Sequence, residues 1–244
     1  MLKLIVSDFD GTLLPYGQTC LSEKLKIQIK KAAEQGISIA VSSGRTYLEL
    51  LPYFDGFTDM LWFICCDGAY YVKNGKIFYE KQIEKTELEA FFKKAGSGFS
   101  FVLHGAMKNY AVGDIPTEAM AFSPEIIKKP GDIKEKIFKI TSYGERVKLT
   151  EYSSLRTHWD GGENATAQYV NRFCDKGAAL SDLQVRLMLT RFDSACLGDG
   201  GNDIAMMKNA KYSVCIGERQ SELSDICTHR FATAEEAFDF LLEV

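Results

Sequence analysis

Leu2-Lys-Leu-Ile-Val-Ser-Asp-Phe-Asp-Gly-Thr12 begins as an apolar run and gives way, from Asp8 onward, to two carboxylates and a glycine. A short apolar run closed in this way predicts a buried strand with chemistry at its carboxyl end. Outward from it, Ser22 is placed to cap a helix whose Leu25, Ile29, Ala32 and Ala33 share one face and whose end is marked by Gly36. Another apolar run, Ile37 to Ser42, follows at once, and Leu61-Trp-Phe-Ile-Cys65 supplies a third. Strand, helix, strand is the right-handed crossover from which parallel sheets are built.

The far end of the chain has the same texture. Ser194 to Gly198 and Tyr212 to Ile216 read as buried strands separated by a helix over Asn202 to Asn209, and Thr233-x-x-Glu236 is a capping box opening a final helix. Between the two ends the pattern changes. Tyr70 to Tyr79 carries Asn74-Gly75 at its centre, the turn chemistry of an antiparallel hairpin. Thr86-x-x-Glu89 predicts a helix start, with an end near Gly96. Phe99 to Leu103 and Asn109 to Val112 read as strands, Ser123-Pro124 as a helix start and Pro130-Gly131 as a turn. The expected fold class is α/β: a doubly wound parallel sheet formed by 1–82 and 172–244, with a smaller α+β unit, 83–171, inserted.

Composition narrows the function. The chain has 244 residues, 46% of them apolar and 25% charged, which excludes a disordered or collagen-like polymer. A formal net charge of −4 supplies no basic field toward nucleic acid or anionic lipid. Cysteines at 20, 65, 66, 174, 196, 215 and 227 form no Cys-x-x-Cys pair, so neither a disulfide framework nor a zinc ribbon is expected, and a reducing cytosol is. The apolar run Leu2–Val6 is too short for a signal peptide or a membrane span. His104, His158 and His229 are scattered rather than clustered, which disfavours a soft metal.

Four polar clusters fall where strands should end: Asp8 with Asp10, Ser42 with Ser43, Lys176, and Asp199 with Asn202 and Asp203. In an open parallel sheet all carboxyl ends share one edge, where ligands bind at the switch in strand order. Several carboxylates gathered there repel one another, and a hard, oxygen-seeking cation such as Mg²⁺ would offset the repulsion. With that ion held by Asp199 and Asp203, Asp8 is suited to attack phosphorus and Asp10 to act as general acid and then base. Ser43 would donate to the phosphoryl group, and Lys176 would compensate charge on it.

Asp8-Phe-Asp-Gly-Thr-Leu-Leu14, Ser42-Ser-Gly-Arg45, Lys176-Gly-Ala-Ala-Leu180 and Gly198-Asp-Gly-Gly-Asn-Asp-x-x-Met206 resemble, in order, the four motifs of haloacid dehalogenase superfamily phosphatases, most nearly the Cof-type branch. The resemblance implies a Rossmann-like core with an α/β cap between the second and third motifs. It implies Asp8 as nucleophile and metal ligand, Asp10 as acid/base and ligand through its backbone carbonyl, and Asp199 as direct metal ligand. Ser43, Gly44, Lys176 and Asn202 would bind phosphate, with Asp203 supporting the metal. Two departures bear on substrate: Asp67-Gly-Ala69 replaces the family's usual Asn-Gly-Ala, and the interval for the cap is short. Arg45 is either a salt-bridge partner or a contact to substrate or cap, and His104, Lys108, Tyr110 and His158 are candidates to reach the leaving group.

The expected function is Mg²⁺-dependent hydrolysis of a small phosphorylated metabolite, a sugar phosphate or similar, through a phospho-aspartyl intermediate. Monomer and homo-oligomer are both compatible with the sequence. The alternatives are phosphoryl transfer to a second hydroxyl, as in a phosphomutase, and a non-enzymatic receiver-like module. Asp10 disfavours the module, which needs no acid for a leaving alcohol.

Overall fold

A computed structural model describes residues 1–116, 123–144, 146–149, 153–160, 165–217, 222–223 and 225–244. The opening run forms β1 (Leu4–Asp8), buried throughout, at the centre of an eight-stranded sheet. On one side lie β2 (Ser38–Ser42), β3 (Leu61–Cys65), β4 (Tyr70–Lys73) and β5 (Lys76–Glu80). On the other lie β12 (Ser194–Gly198), β13 (Tyr212–Ile216) and β14 (His229–Phe231). The strands from β14 to β3 run parallel, and the β4–β5 hairpin adds an antiparallel edge, its Asn74 and Gly75 both at positive φ as a tight primed turn requires.

Strand alternation produces the two faces. Ile5, Ile39, Val41 and Leu197 point toward α1 (Glu23–Glu34) and α6 (Ala234–Leu241). Leu4, Val6, Ala40 and Cys196 point toward α4 (Lys176–Arg186) and α5 (Ile204–Met207). Each fully buried aliphatic side chain contributes roughly 1.5–3 kcal/mol, so the two layers fix the strand register and with it the positions of the strand ends. The chain leaves β1 for β2 on one side and reaches β12 on the other, so the order reverses beside Asp8. Ser22 and Thr233 cap α1 and α6 as expected, accepting from the amides of Leu25 and Glu236.

Between β5 and α4 the chain builds α3 (Lys85–Ala95) and a second sheet of six strands, in the order β10 (Leu155–Asp160), β11 (Thr166–Asn171), β9 (Ile137–Tyr143), β6 (Ser100–Gly105), β7 (Asn109–Val112), β8 (Glu125–Ile126). One face carries Phe101, Leu103, Tyr110, Ile140 and Tyr169 and packs on Leu88, Phe91 and Ala95 of α3. The opposite face is mostly polar, with Val102, Ala111 and Val170 among its residues. His104, Lys139, Val170 and Arg156 form one cross-strand row, and Thr141, Gln168 and His158 the next.

Three local expectations are corrected. The helix expected to open at Thr86 starts at Lys85 after Glu84, with no side-chain cap, because the Glu84 carbonyl already accepts from the Leu88 amide at 3.0 Å and takes Thr86 into the first turn. Pro124 leads into the strand β8, which pairs in parallel with β7, not into a helix. The helix over 202–209 shortens to a 3₁₀ turn, Gly201–Asp203, followed by α5. Among the described residues no helix is long and apolar enough to cross a membrane.

Candidate active site

The ends of β1 and β12 bring Asp8 and Asp199 together, and the turn after β12 adds Asp203. One carboxylate oxygen from each lies within 4.8 Å of the others. Lys176, at the start of α4 and 2% exposed, reaches into this group. Its ammonium donates to Asp8 Oδ1 at 2.5 Å and to Asp203 Oδ1 at 2.7 Å. Asp203, fully buried, also accepts from the backbone amides of Asp199 and Gly200, both at 3.2 Å, so it shapes the loop that presents Asp199. Two glycines make the crowding possible. A Cβ on Gly198 would meet Asp203 Oδ2 at 2.5 Å, and one on Gly11, whose φ is +80°, would meet Asp199 Oδ2 at 2.2 Å.

The electrostatics follow from burial. Desolvation pushes the Asp8 carboxyl up to about 7 against the pull of Lys176, with the Asp203 charge adding to the rise. Asp199 is raised as well, chiefly by burial, with Asp203 adding to the rise and hydrogen bonds from Tyr16 and Thr12 opposing it. Burial works against the Lys176 charge, but Asp8 and Asp203 outweigh it and hold the ammonium above the ordinary lysine range. With all three carboxylates ionised, one ammonium would leave an excess of two negative charges in a small volume, which is the form a bound cation would favour. The donors are all oxygen, so a divalent hard cation fits both the charge and the chemistry of the group.

Asp10, two residues past Asp8, points to a different partner. Arg45 grips its carboxylate with Nε at 2.9 Å and Nη2 at 2.6 Å, and also donates to Tyr53 Oη at 3.2 Å while covering the rings of Phe9 and Tyr53. Ser43 is buried just past β2, where its hydroxyl accepts from the Arg45 amide at 3.1 Å. Gly44 lies against Asp67, whose carboxylate a Cβ there would approach to 3.5 Å. Asp67 itself sits at φ 55°, a left-handed position that Asp and Asn tolerate. Asn202 is exposed and lines, with Lys176 and Asp67, a cavity of about 650 Å³ whose far wall is Arg156, His158 and Gln168 of the second sheet. A smaller cavity of about 230 Å³, between Asp10, Arg45 and Lys139, shares Gln168 with it.

Asp8, Lys176, Asp199 and Asp203 thus form one contact cluster, Gly44, Asp10 and Asn202 border the cavities beside it, and Ser43 is buried behind Gly44. Of the candidates on the inserted segment, His158 lines the larger cavity. His104 is buried against Thr141, Lys108 pairs with Glu125 on the surface, and Tyr110 is buried with its hydroxyl accepting from the Lys134 amide. Sequence reasoning missed Thr12 and Tyr16, whose hydroxyls donate to Asp199 at 3.2 and 3.1 Å. Thr12 lay inside the decisive run. Tyr16 carried no signal, since its role depends on a partner 183 positions away.

A family model described as haloacid dehalogenase-like hydrolase matches residues 5–238. Among curated proteins, the chain is 24% identical over 236 residues to the 5-amino-6-(5-phospho-D-ribitylamino)uracil phosphatase YbjI of Escherichia coli, covering 87% of this chain and 84% of the relative. It is 24% identical over 239 residues to a phosphoglycolate phosphatase of Methanospirillum hungatei, covering 93% and 90%. Among solved structures, a haloacid dehalogenase-like hydrolase from Bacteroides thetaiotaomicron superposes with a TM-score of 0.86 at 20% identity, covering 99% of this chain and 100% of that one.

Proposed function

We propose that this chain, which belongs to the haloacid dehalogenase-like hydrolases, is a Mg²⁺-dependent phosphatase that cleaves a small, polar phosphate monoester through a phospho-aspartyl intermediate at Asp8. Phosphatase activity is the function that the family match and the phosphatase relatives support. The observation that carries the finer reading is the convergence of three carboxylates, buried Asp8 and Asp203 paired with Lys176 and half-buried Asp199 beside them. Asp8 and Asp199, with Asp203 behind them and the Asp10 carbonyl beside them, would hold the cation. Once bound, that ion supplies charge for the phosphoryl oxygens and keeps Asp8 ionised.

The residues then divide the work. A carboxylate oxygen of Asp8 forms a bond to phosphorus as the ester oxygen leaves, taking a proton from Asp10. Asp10 next removes a proton from water, the water oxygen bonds to phosphorus, and the bond to Asp8 breaks to release inorganic phosphate. Ser43, the Gly44 amide, Asn202 and Lys176 orient the phosphoryl oxygens. Residues 83–171 act as the cap, and Arg156, His158 and Gln168 offer the leaving group a polar wall. The experiment is turnover of 4-nitrophenyl phosphate with Mg²⁺ and with EDTA, repeated with a sugar acceptor. Many turnovers of free phosphate, abolished by EDTA, are expected. Phosphorylated acceptor in place of free phosphate would assign a transferase, and a single stoichiometric phosphorylation would assign a module.

A thermodynamic consequence is independent of substrate. The folded carboxyl of Asp8 lies near 7 and its ordinary value is 3.8, so without metal the folded state holds a proton that unfolding releases. Stability from this group is complete below about pH 4 and is lost as pH rises through about 7, by a few kcal/mol. Mg²⁺ is expected to raise the melting temperature at pH 7.5 by several degrees, to raise it less at pH 5, and to release protons on binding. Calorimetry in two buffers of different ionisation enthalpy checks this. A midpoint indifferent to Mg²⁺ at both pH values would count against a cation at the triad.

A further inference from the structure

Lys139 belongs to none of the sequence motifs, yet it is a lysine buried to 6% exposure on the polar face of the second sheet. A buried ammonium is costly unless its hydrogen bonds and its charge are both met. The hydrogen bond goes to the carbonyl of Gly44 at 2.6 Å, across to the catalytic edge of the first sheet. The charge faces Glu49 at the start of the short helix α2 (Tyr47–Leu50), whose carboxylate accepts from the Thr46 amide at 2.6 Å. Burial would raise the Glu49 carboxyl, but Lys139, His104 and Thr46 together hold it below the ordinary range. His104, the cross-strand neighbour of Lys139, faces the same carboxylate at 3.9 Å.

The turn that Lys139 reaches holds two members of the candidate machinery. The amide of Ser43 donates to Ile64, the Ser43 carbonyl accepts from the Asp67 amide, and the Arg45 carbonyl accepts from the Cys66 amide, at 2.9–3.0 Å. The remaining carbonyl of the turn, that of Gly44, takes its hydrogen bond from Lys139. Ser43 precedes it, and Arg45, which grips Asp10 at two points, follows it. We propose that Lys139 is a positioning residue: by docking on Gly44 and Glu49 it holds the Ser43–Gly44–Arg45 turn, and through Arg45 the Asp10 carboxylate, in the geometry that exists when the second sheet is seated on the catalytic edge. This rests on the reading of Asp10 as the general acid.

The test uses leaving groups that differ in their need for an acid. An alkyl phosphate leaves as a poor alkoxide and requires the proton from Asp10, whereas 4-nitrophenyl phosphate needs little help. Lys139→Met is expected to lower kcat/KM for ethyl phosphate by about tenfold or more and for 4-nitrophenyl phosphate by no more than about threefold, with Lys139→Arg restoring most of the loss. Because Lys139→Met strands the Glu49 charge, the double variant Glu49→Gln/Lys139→Met is measured beside it and should show the same split between substrates. Deuterium uptake across residues 43–50 should rise in both variants. Equal losses on the two substrates, or unchanged uptake, would overturn the proposal. Should the parent protein turn over neither phosphate, the phosphatase reading fails, and the uptake measurement alone decides whether Lys139 holds the turn.

Discussion

Asp8→Asn is expected to lower turnover of any phosphate monoester by a factor on the order of 10⁴ or more while leaving the fold in place. The amide cannot form the acyl-phosphate bond, and no neighbour can substitute. Asp10 is gripped by Arg45, Asp203 is occupied by Lys176 and two backbone amides, and Asp199 sits at the end of a different strand under Thr12 and Tyr16. The fold survives because the substitution is nearly isosteric at a position whose charge burial already disfavours, and Lys176 keeps Asp203 as its counter-charge. Circular dichroism and melting should therefore match the parent to within a few degrees, and the Mg²⁺-induced rise in melting temperature should shrink, since one ligand charge is gone. Single-turnover quench experiments provide the check: labelled phosphate should be trapped on the parent protein and not on the variant. Trapped label on the variant at the parent's level would move the nucleophile elsewhere.

How much of this was legible in the sequence depends on the reach of each interaction. The central strand, the α1 and α6 layer and the hairpin at Asn74-Gly75 follow from periodicity, caps and turn chemistry, all of which act over a few residues, whereas the sequence reading contains no helix at α4. The meeting of Asp8 with Asp199 also followed, because parallel strands place all their carboxyl ends on one edge whatever the intervening sequence. What escaped were contacts whose partners belong to different sheets or distant loops. Tyr16 on Asp199, Lys139 on Gly44 and Arg156 at 3.8 Å from Asp67 have no local signature, since a lysine or tyrosine destined for such a contact looks like any surface residue until its partner is placed. The start of α3 was misplaced for a local reason: the Glu84 carbonyl accepts from the Leu88 amide, so the helix is already under way at Thr86. Arg45 shows the intermediate case, flagged by its motif but with its partner, Asp10, settled only by geometry.

Lys176→Met should cost both activity and stability, and the two losses are separable. Lys176 is the positive charge that both Asp8 and Asp203 contact, at 2.5 and 2.7 Å, with all three side chains buried. Removing it strands two carboxylates in contact range, which costs about 3–5 kcal/mol for a broken buried pair and here acts on two. The carboxyl groups would answer by taking up protons, so the variant's stability should fall steeply as pH rises from 5 to 8, more steeply than the metal-free parent's, because both groups then ionise without a counter-charge. Mg²⁺ should recover part of the loss at pH 8, being the remaining cation able to sit among the triad. The double variant Lys176→Met/Asp203→Asn removes one of the stranded charges and is expected to regain most of the stability but none of the turnover, since the phosphoryl group would still lack its buried ammonium. Urea unfolding across that pH range, with and without Mg²⁺, measures the first effect and phosphate release the second. A Lys176→Met protein destabilised by less than about 1 kcal/mol at pH 8 would mean that the ammonium does not offset the buried carboxylates, and the charge argument for a divalent cation at Asp8, Asp199 and Asp203 would fall with it.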